Sequence, residues 1–314
     1  MYKHTAIPHG LMFHHFHGMG YHPSQGSISA DDFRELLNFV GIERILPADS
    51  WLDRAVNGSL DPNAICLTFD DSLRCQFDIA FPVLRDMGLN AFWFIHTAGL
   101  EGLLDRTELY RVFRHQYFSS IDEFYESFEQ RLAGSAHSDE LAAKLKTFDA
   151  DTYLSEFPFY TAGDRRFHFI RDRILGRERY FSQMDAMIDG SAMDVARESK
   201  KIWLTSEQVS EISKAGHVIG LHSHTHPTQL EKLPRTEQAW EYSKNNETLT
   251  AILGTPRRSM SHPCNSYDFN TLEILDELGV EIGFRANMAP QQPATRFEFP
   301  REDHANIMRM MAAN

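Results

Sequence analysis

Ala64-Ile-Cys-Leu-Thr-Phe-Asp-Asp71 is the stretch that decides the fold. Its first six residues form a continuous, essentially apolar run of strand length, the pattern of a strand buried on both faces in a parallel sheet. Ile79 to Met87 then reads as a helix closed by Gly88, and Asn90-Ala-Phe-Trp-Phe-Ile95 as a second buried strand, which makes a βαβ unit. Upstream, Gly10 to His17 reads as a short strand running into His14 and His15, and Ser29 caps an amphipathic helix with Phe33, Leu36, Leu37 and Val40 on one face. Downstream the alternation resumes at Thr205. A helix there is followed by a strand at His217–Leu221, a helix at Thr236–Leu253, a strand at Arg258–Pro263 and a helix at Phe269–Leu278. The last strands are expected at Val280–Phe284 and Arg296–Phe299. Strand and helix alternate from end to end, so the expected architecture is α/β: one distorted (β/α) barrel over residues 1–314. Residues 99–199 break the pattern. They are charged and aromatic with helical spacing, and are expected to be a helical insertion, either extra packing on the outer surface of the barrel or a lid or subunit interface of a homo-oligomer beside the site.

The chain has 314 residues, of which 42% are hydrophobic, enough for a substantial core without disulfides. Cys66, Cys75 and Cys264 show no CxxC spacing and are expected to be free thiols in a reducing compartment. A net charge of −13 argues against nucleic acid as a partner. No stretch is apolar enough for a signal sequence or a membrane span, so the expected location is the cytoplasm. Sixteen histidines are the more informative feature, with clusters at 4–22 and 217–226.

Asp70 and Asp71 follow the carboxyl end of a parallel strand, where barrel enzymes carry their catalytic groups. Two adjacent carboxylates repel when both are ionised, unless a cation neutralises one. His222-Ser-His-Thr-His226 also follows an apolar strand. Histidines at i and i+4 share a helix face, and at i, i+2 and i+4 a strand face; either geometry brings two imidazoles to one ion. A mixed carboxylate and imidazole set suits zinc better than magnesium, with cobalt or nickel able to use the same ligands. A carboxylate left off the ion can take a proton from attacking water.

These motifs resemble those of the polysaccharide deacetylase (NodB-homology) family, carbohydrate esterase family 4, whose members fold as distorted (β/α) barrels. Thr68-Phe-Asp-Asp71 stands as the first family motif and His222-Ser-His-Thr-His226 as the second. The resemblance implies Asp70 as general base and Asp71, His222 and His226 as metal ligands, with His224 outside the set. It also implies hydrolysis of N-acetyl or O-acetyl groups on sugars, with an N-acetylated amino sugar as the leading expectation; the expected lack of an export signal then points to a cytoplasmic precursor of surface polysaccharide as substrate. Where the family's third motif carries arginine and tyrosine, this chain has Ser261 and Cys264. The Cys264 backbone N–H is then expected to help hold the oxyanion, and Arg301 to supply the charge beside the base. The fifth motif has no clean counterpart; His304, oriented by Asp303, is expected to be the general acid. His14, His15 and His262 are expected to touch substrate. The competing expectations are hydrolysis of another amide, an N-formyl sugar or a ring amide, and a sugar-binding barrel without turnover.

Overall fold

The run at 65–69 is the second of seven parallel strands in the computed structural model of the chain, which describes residues 2, 6–103, 106–155, 160–290 and 293–313. The strands are β1 (His9–Phe13), β2 (Ile65–Phe69), β3 (Phe92–Ile95), β4 (Val218–Leu221), β5 (Ser259–Ser261), β6 (Ile282–Phe284) and β7 (Arg301–Asp303). Their spatial order is β6-β5-β4-β3-β2-β1-β7, parallel throughout. The registers pair Phe13 with Phe69, Phe69 with Trp93, and Ile95 with Leu221, so the carboxyl ends of β1 to β4 finish nearly level.

The sheet is nearly closed into a barrel. On one edge Phe299 bridges to Phe284 of β6, and its N–H donates to the Gly283 carbonyl at 2.9 Å. Two residues later the same segment becomes β7 and pairs with β1. The last strand therefore lies at Arg301–Asp303 and not at Arg296–Phe299, which corrects the sequence expectation. Pro300 separates the two pairings: it has no N–H to give to a ladder, and only its carbonyl is used, by Gly10 N–H at 3.0 Å.

Helices alternate with the strands. The barrel unit, Met1–Leu104 with Ile202–Asn314, carries α1 (Ala30–Val40), α2 (Ala48–Val56), α3 (Phe81–Asp86), α10 (Ser206–Lys214), α11 (Arg235–Leu253), α12 (Phe269–Glu277) and α13 (His304–Ala312). Ser29 and Asp32 form a capping box on α1, and Thr205 and Gln208 form one on α10, so both helices begin where their sequences offer side-chain partners for the first N–H groups. Phe13, Phe33, Phe69 and Trp93 pack the layer under the helices, with Phe69 stacked on Trp93 at 4.5 Å. The second apolar cluster holds Trp51, Cys66, Phe92, Phe94, Ile282 and Phe284. Helix α2 touches both β2 and β6, two strands four places apart in the order, so Trp51 plugs the barrel. Burying each such ring contributes about 1.5–3 kcal/mol.

The second unit, Asp105–Lys201, is helical: α4 (Arg106–Gln116), α5 (Ile121–Ala133), α6 (Ser138–Leu145), α7 (Ala162–Phe169), α8 (Gly176–Asp189) and α9 (Val195–Ser199). Its core is aromatic, with Phe124, Phe128, Phe167 and Tyr180 in mutual edge contacts. The Tyr125 hydroxyl donates to Asp164 at 2.5 Å, and Arg166 grips Glu129 through two bonds of 2.7 Å. Among the described residues of the chain no helix is long and apolar enough to cross a membrane.

Candidate active site

The residues that follow β1, β2, β4 and β5 converge at the carboxyl end of the barrel. Among the described residues, six of the eight non-glycine positions with positive φ lie in the turns after β2, β4 and β5: Asp71 (74°), Ser72 (56°), Ser223 (60°), His226 (56°), Cys264 (51°) and Asn265 (56°). Each costs of order 1–2 kcal/mol relative to an ordinary conformation, so these turns are held in shape by their surroundings. Gln76 does this after β2, its side-chain N–H groups donating to the Asp70 carbonyl at 2.6 Å and the His14 carbonyl at 2.9 Å. After β4 the clamp comes from α11. Asn245 accepts the His222 N–H at 3.0 Å, and Glu241 accepts the N–H groups of His224 (2.9 Å) and Thr225 (2.7 Å) as well as the Thr225 hydroxyl. Residues 222–226 are therefore neither helix nor strand, and the backbone reversals at Ser223 and His226 bring the two imidazoles together.

Among the described residues, Asp71, His222 and His226 are the one group of three side chains whose ligand atoms all lie within 4.8 Å of one another. His222 Nε2 and His226 Nε2 each lie 3.2 Å from Asp71 Oδ1. Ligands on a tetrahedral zinc with arms of about 2.1 Å are about 3.4 Å apart, so the group fits such an ion. The tautomer is fixed as well. His222 Nδ1–H donates to the Ser261 carbonyl at 2.9 Å, which leaves the Nε2 lone pair toward Asp71. Burial pushes the Asp71 carboxyl up, but the His226 charge and bonds from both imidazoles outweigh it and hold Asp71 well below the usual carboxylate range.

Asp70, 2% exposed, stands beside this group, its Oδ2 3.9 Å from His222 Nε2. Arg301 meets it through two bonds of 2.7 Å, Nη1 to Oδ1 and Nη2 to Oδ2. The remaining N–H groups of Arg301 go to the Arg285 carbonyl (2.9 Å), Thr68 Oγ1 (3.2 Å) and Ser261 Oγ (2.7 Å), so this fully buried guanidinium uses all five donors. The side chain reaches Asp70 because residue 10 is glycine. A Cβ there would lie 3.1 Å from Arg301 Cγ and 3.0 Å from Thr68 Cγ2. Burial raises Asp70, but Arg301 and then His222 lower it more, and the net position is below the ordinary aspartate value. Ser261, in the place where the family motif has arginine, donates to Asp70 Oδ2 at 3.2 Å.

The other predicted residues divide. His14, with 27% of its side chain exposed, places Nε2 3.9 Å from both Asp70 Oδ2 and Asp71 Oδ2. His15 is half-buried beside it, and its carbonyl accepts from Ile28 N–H at 3.2 Å. His304 is different from expectation. It is 4% exposed, with Nε2 2.9 Å from the Gly26 carbonyl and Nδ1 3.3 Å from the Met12 carbonyl, and it stacks on Phe13. Both ring nitrogens face backbone oxygens, Asp303 Oδ1 lies 3.5 Å from Nδ1, and burial depresses the imidazole pKa, so its surroundings are those of a closely packed residue. His262 is corrected likewise. At 1% exposure it gives its Nε2–H to the Phe297 carbonyl (2.9 Å), stacks on Tyr267 (4.0 Å), and is pushed down to about 3 by burial. Cys264 is exposed in the turn after β5. His224 turns away from Asp71, its Nδ1 2.8 Å from Thr97 Oγ1. Gln76, Glu241, Asn245 and Gly10 were not anticipated. Polar residues on the inner face of the long α11 were the available signal for two of them.

Residues 184–283 match the family model for polysaccharide deacetylase. The segment contains the histidine motif and Ser261 but not Asp70 and Asp71. No curated protein matches. Among solved structures, the Streptococcus pyogenes deacetylase PplD in complex with acetate is 17% identical, with TM-score 0.54 over 95% of this chain and 91% of that one. IcaB from Ammonifex degensii is 13% identical, with TM-score 0.57 over 98% and 96%. The BpsB deacetylase domain from Bordetella bronchiseptica is 14% identical, with TM-score 0.52 over 94% of each chain. At these identities the likeness is one of fold. The chain thus resembles the polysaccharide deacetylases in the matched segment and in the architecture around it.

Proposed function

We propose that the chain is a metal-dependent hydrolase that removes the N-acetyl group from an amino sugar of a glycan. The observation that carries this reading is the pairing of a three-ligand group, Asp71, His222 and His226, with a separate carboxylate, Asp70, held ionised by Arg301. The matched family segment and the fold shared with deacetylases support the same chemistry.

Asp71, His222 and His226 would hold a divalent cation, zinc by ligand type, with cobalt or nickel as substitutes. When bound, such an ion polarises the acyl carbonyl and lowers the pKa of a coordinated water toward about 7. Asp70 accepts the proton of the attacking water, and Arg301 and Ser261 fix the plane of its carboxylate so that no reorientation is needed. His14 takes the place first given to His304. It stands at the end of β1, partly open to solvent, on the same side as both carboxylates, and an imidazole is the side chain suited to hand a proton to the departing amine near neutral pH.

The test is acetate and formate release by zinc-loaded protein across a panel of N-acyl amino sugars, free, nucleotide-linked and oligomeric. Acetate release that Asp70→Asn abolishes, with metal content unchanged, is the expected result. Binding of these sugars without acyl release, unaffected by Asp70→Asn, would instead make the barrel a binding module.

A further inference from the structure

The barrel holds another deeply buried guanidinium, Arg285, with two N–H groups that meet no acceptor among the described residues. Arg285 follows β6, whose Phe284 is in register with Ser261, so it lies at the same end of the barrel as Asp70. It is 2% exposed, yet its Nε and Nη2 are both buried without a hydrogen-bond acceptor. Burial lowers its pKa below the usual arginine value, and the charge of Glu298 only partly offsets this.

The two orphaned nitrogens are not a random pair. Nε–H and Nη2–H run parallel along one edge of the guanidinium and match two oxygens of a carboxylate or phosphate. Elsewhere in this chain the same edge is filled in that way: Arg166 on Glu129 (2.7 and 2.7 Å), Arg171 on Asp172 (2.6 and 3.0 Å) and Arg258 on Glu281 (2.9 and 2.7 Å). Those three pairs are partly exposed, where the bond is worth least. Arg285 is the buried case, where leaving the edge empty costs most. The carboxylate that acts on its charge is Glu298. Its Oε1 accepts from the Tyr267 hydroxyl at 2.9 Å, its Oε2 is also buried without a partner, and it forms no ion pair with Arg285.

We propose that the Nε/Nη2 edge of Arg285 binds an oxyanion of the glycan substrate, a carboxylate or a phosphate carried near the sugar that is deacylated. The assignment of a glycan rests on the function proposed above; the oxyanion chemistry rests on the arginine edge alone. At 2% exposure the edge is covered, so a ligand reaches it by displacing neighbouring side chains, and equilibrium binding is the proper readout.

The experiment is calorimetric titration of the full chain with glucuronate, glucose 1-phosphate and, as neutral control, N-acetylglucosamine, at low ionic strength. Either acidic probe is expected to bind, and Arg285→Gln to weaken it by about tenfold or more, as loss of a bidentate charge-assisted pair does. Arg285→Lys, which keeps the charge but not the edge, should recover little of that. Glu298→Gln removes the nearby negative charge and should tighten binding of the same probe. The preferred probe tells carboxylate from phosphate. The proposal is overturned if neither acidic probe binds, or if binding is indifferent to Arg285→Gln. It is equally overturned if a crystal structure soaked with the tighter probe shows the Arg285 edge on Glu298 or on water. Should Arg285→Gln not fold, the Glu298→Gln titration and the soaked crystal decide. Acetate release is not used in any of these measurements, so an inactive protein that binds the probe would count against the hydrolase reading and not against this site.

Discussion

Replacing Arg301 with methionine should have a large effect, because the structure leaves Asp70 no adequate second partner. Arg301 is fully buried and Asp70 is 2% exposed. Without the guanidinium the carboxylate keeps only the Ser261 hydroxyl at 3.2 Å and the imidazoles of His14 and His222, both at 3.9 Å. Removing one member of a buried ion pair costs about 3–5 kcal/mol. All four tryptophans, at 51, 93, 203 and 240, lie in the barrel unit, so tryptophan fluorescence during urea unfolding reports on that unit. The same substitution reverses the balance at Asp70. Burial, which raises its pKa, is then unopposed by the arginine that lowers it, and the acidic limb of kcat/KM should move to higher pH. Two readouts and one control follow. Arg301→Met should lose about 3–5 kcal/mol and shift the limb, whereas the double variant Arg301→Met with Asp70→Leu, which removes both charges, should regain about 2 kcal/mol of that loss. A loss under about 1 kcal/mol, an unmoved limb, or strict additivity in the double variant would refute the clamp.

Three further outcomes follow from the same geometry. His14→Gln should lower kcat by about 10²-fold or more, and most on poor leaving groups, whereas His304→Gln should lower the unfolding midpoint with little change in the pH profile; the opposite assignment would show the reverse. Asn245→Ala and Glu241→Ala touch no ligand atom, yet should weaken zinc binding by about 10–100-fold in a competition titration by releasing the turn after β4. His217 accepts two N–H groups on Nδ1, from Ala91 at 3.0 Å and Trp93 Nε1 at 3.1 Å, and burial pushes it down to about 4. Its unfolded form binds a proton below about pH 6.5 while the folded form does not, so stability should fall as pH drops from about 6.5 toward 4. At pH 5 its share of the loss is about 2 kcal/mol, and His217→Gln should flatten the urea-unfolding profile by that amount.

The sequence displays what is local and hides what is brought together by folding. Apolar runs ending in Asp70-Asp71 and in His222 were readable because a parallel strand buries both faces and its carboxyl end must then turn. The missing arginine of the third motif pointed to Arg301, and the structure places that side chain on Asp70 across a gap that Gly10 leaves open. No sequence pattern could show that β7 begins only after Pro300, or that His304 follows it with both nitrogens turned to backbone carbonyls. His14 is legible as a residue at the end of the first strand, but its approach to both carboxylates depends on β1 pairing with β2 in a register that joins residues 56 apart in sequence. Glu241 and Asn245 were hidden for the opposite reason: on an exposed helix polar residues are unremarked, and only the burial of that face gives them meaning.

Anomalous diffraction at the zinc edge from zinc-loaded crystals bears most directly on the whole account. The expected result is one strong peak about 2.0–2.2 Å from Asp71 Oδ1, His222 Nε2 and His226 Nε2, with Asp70 outside the coordination sphere. A peak elsewhere, a peak that takes Asp70 as a ligand, or none at full zinc occupancy in solution would contradict the chemistry proposed for this chain.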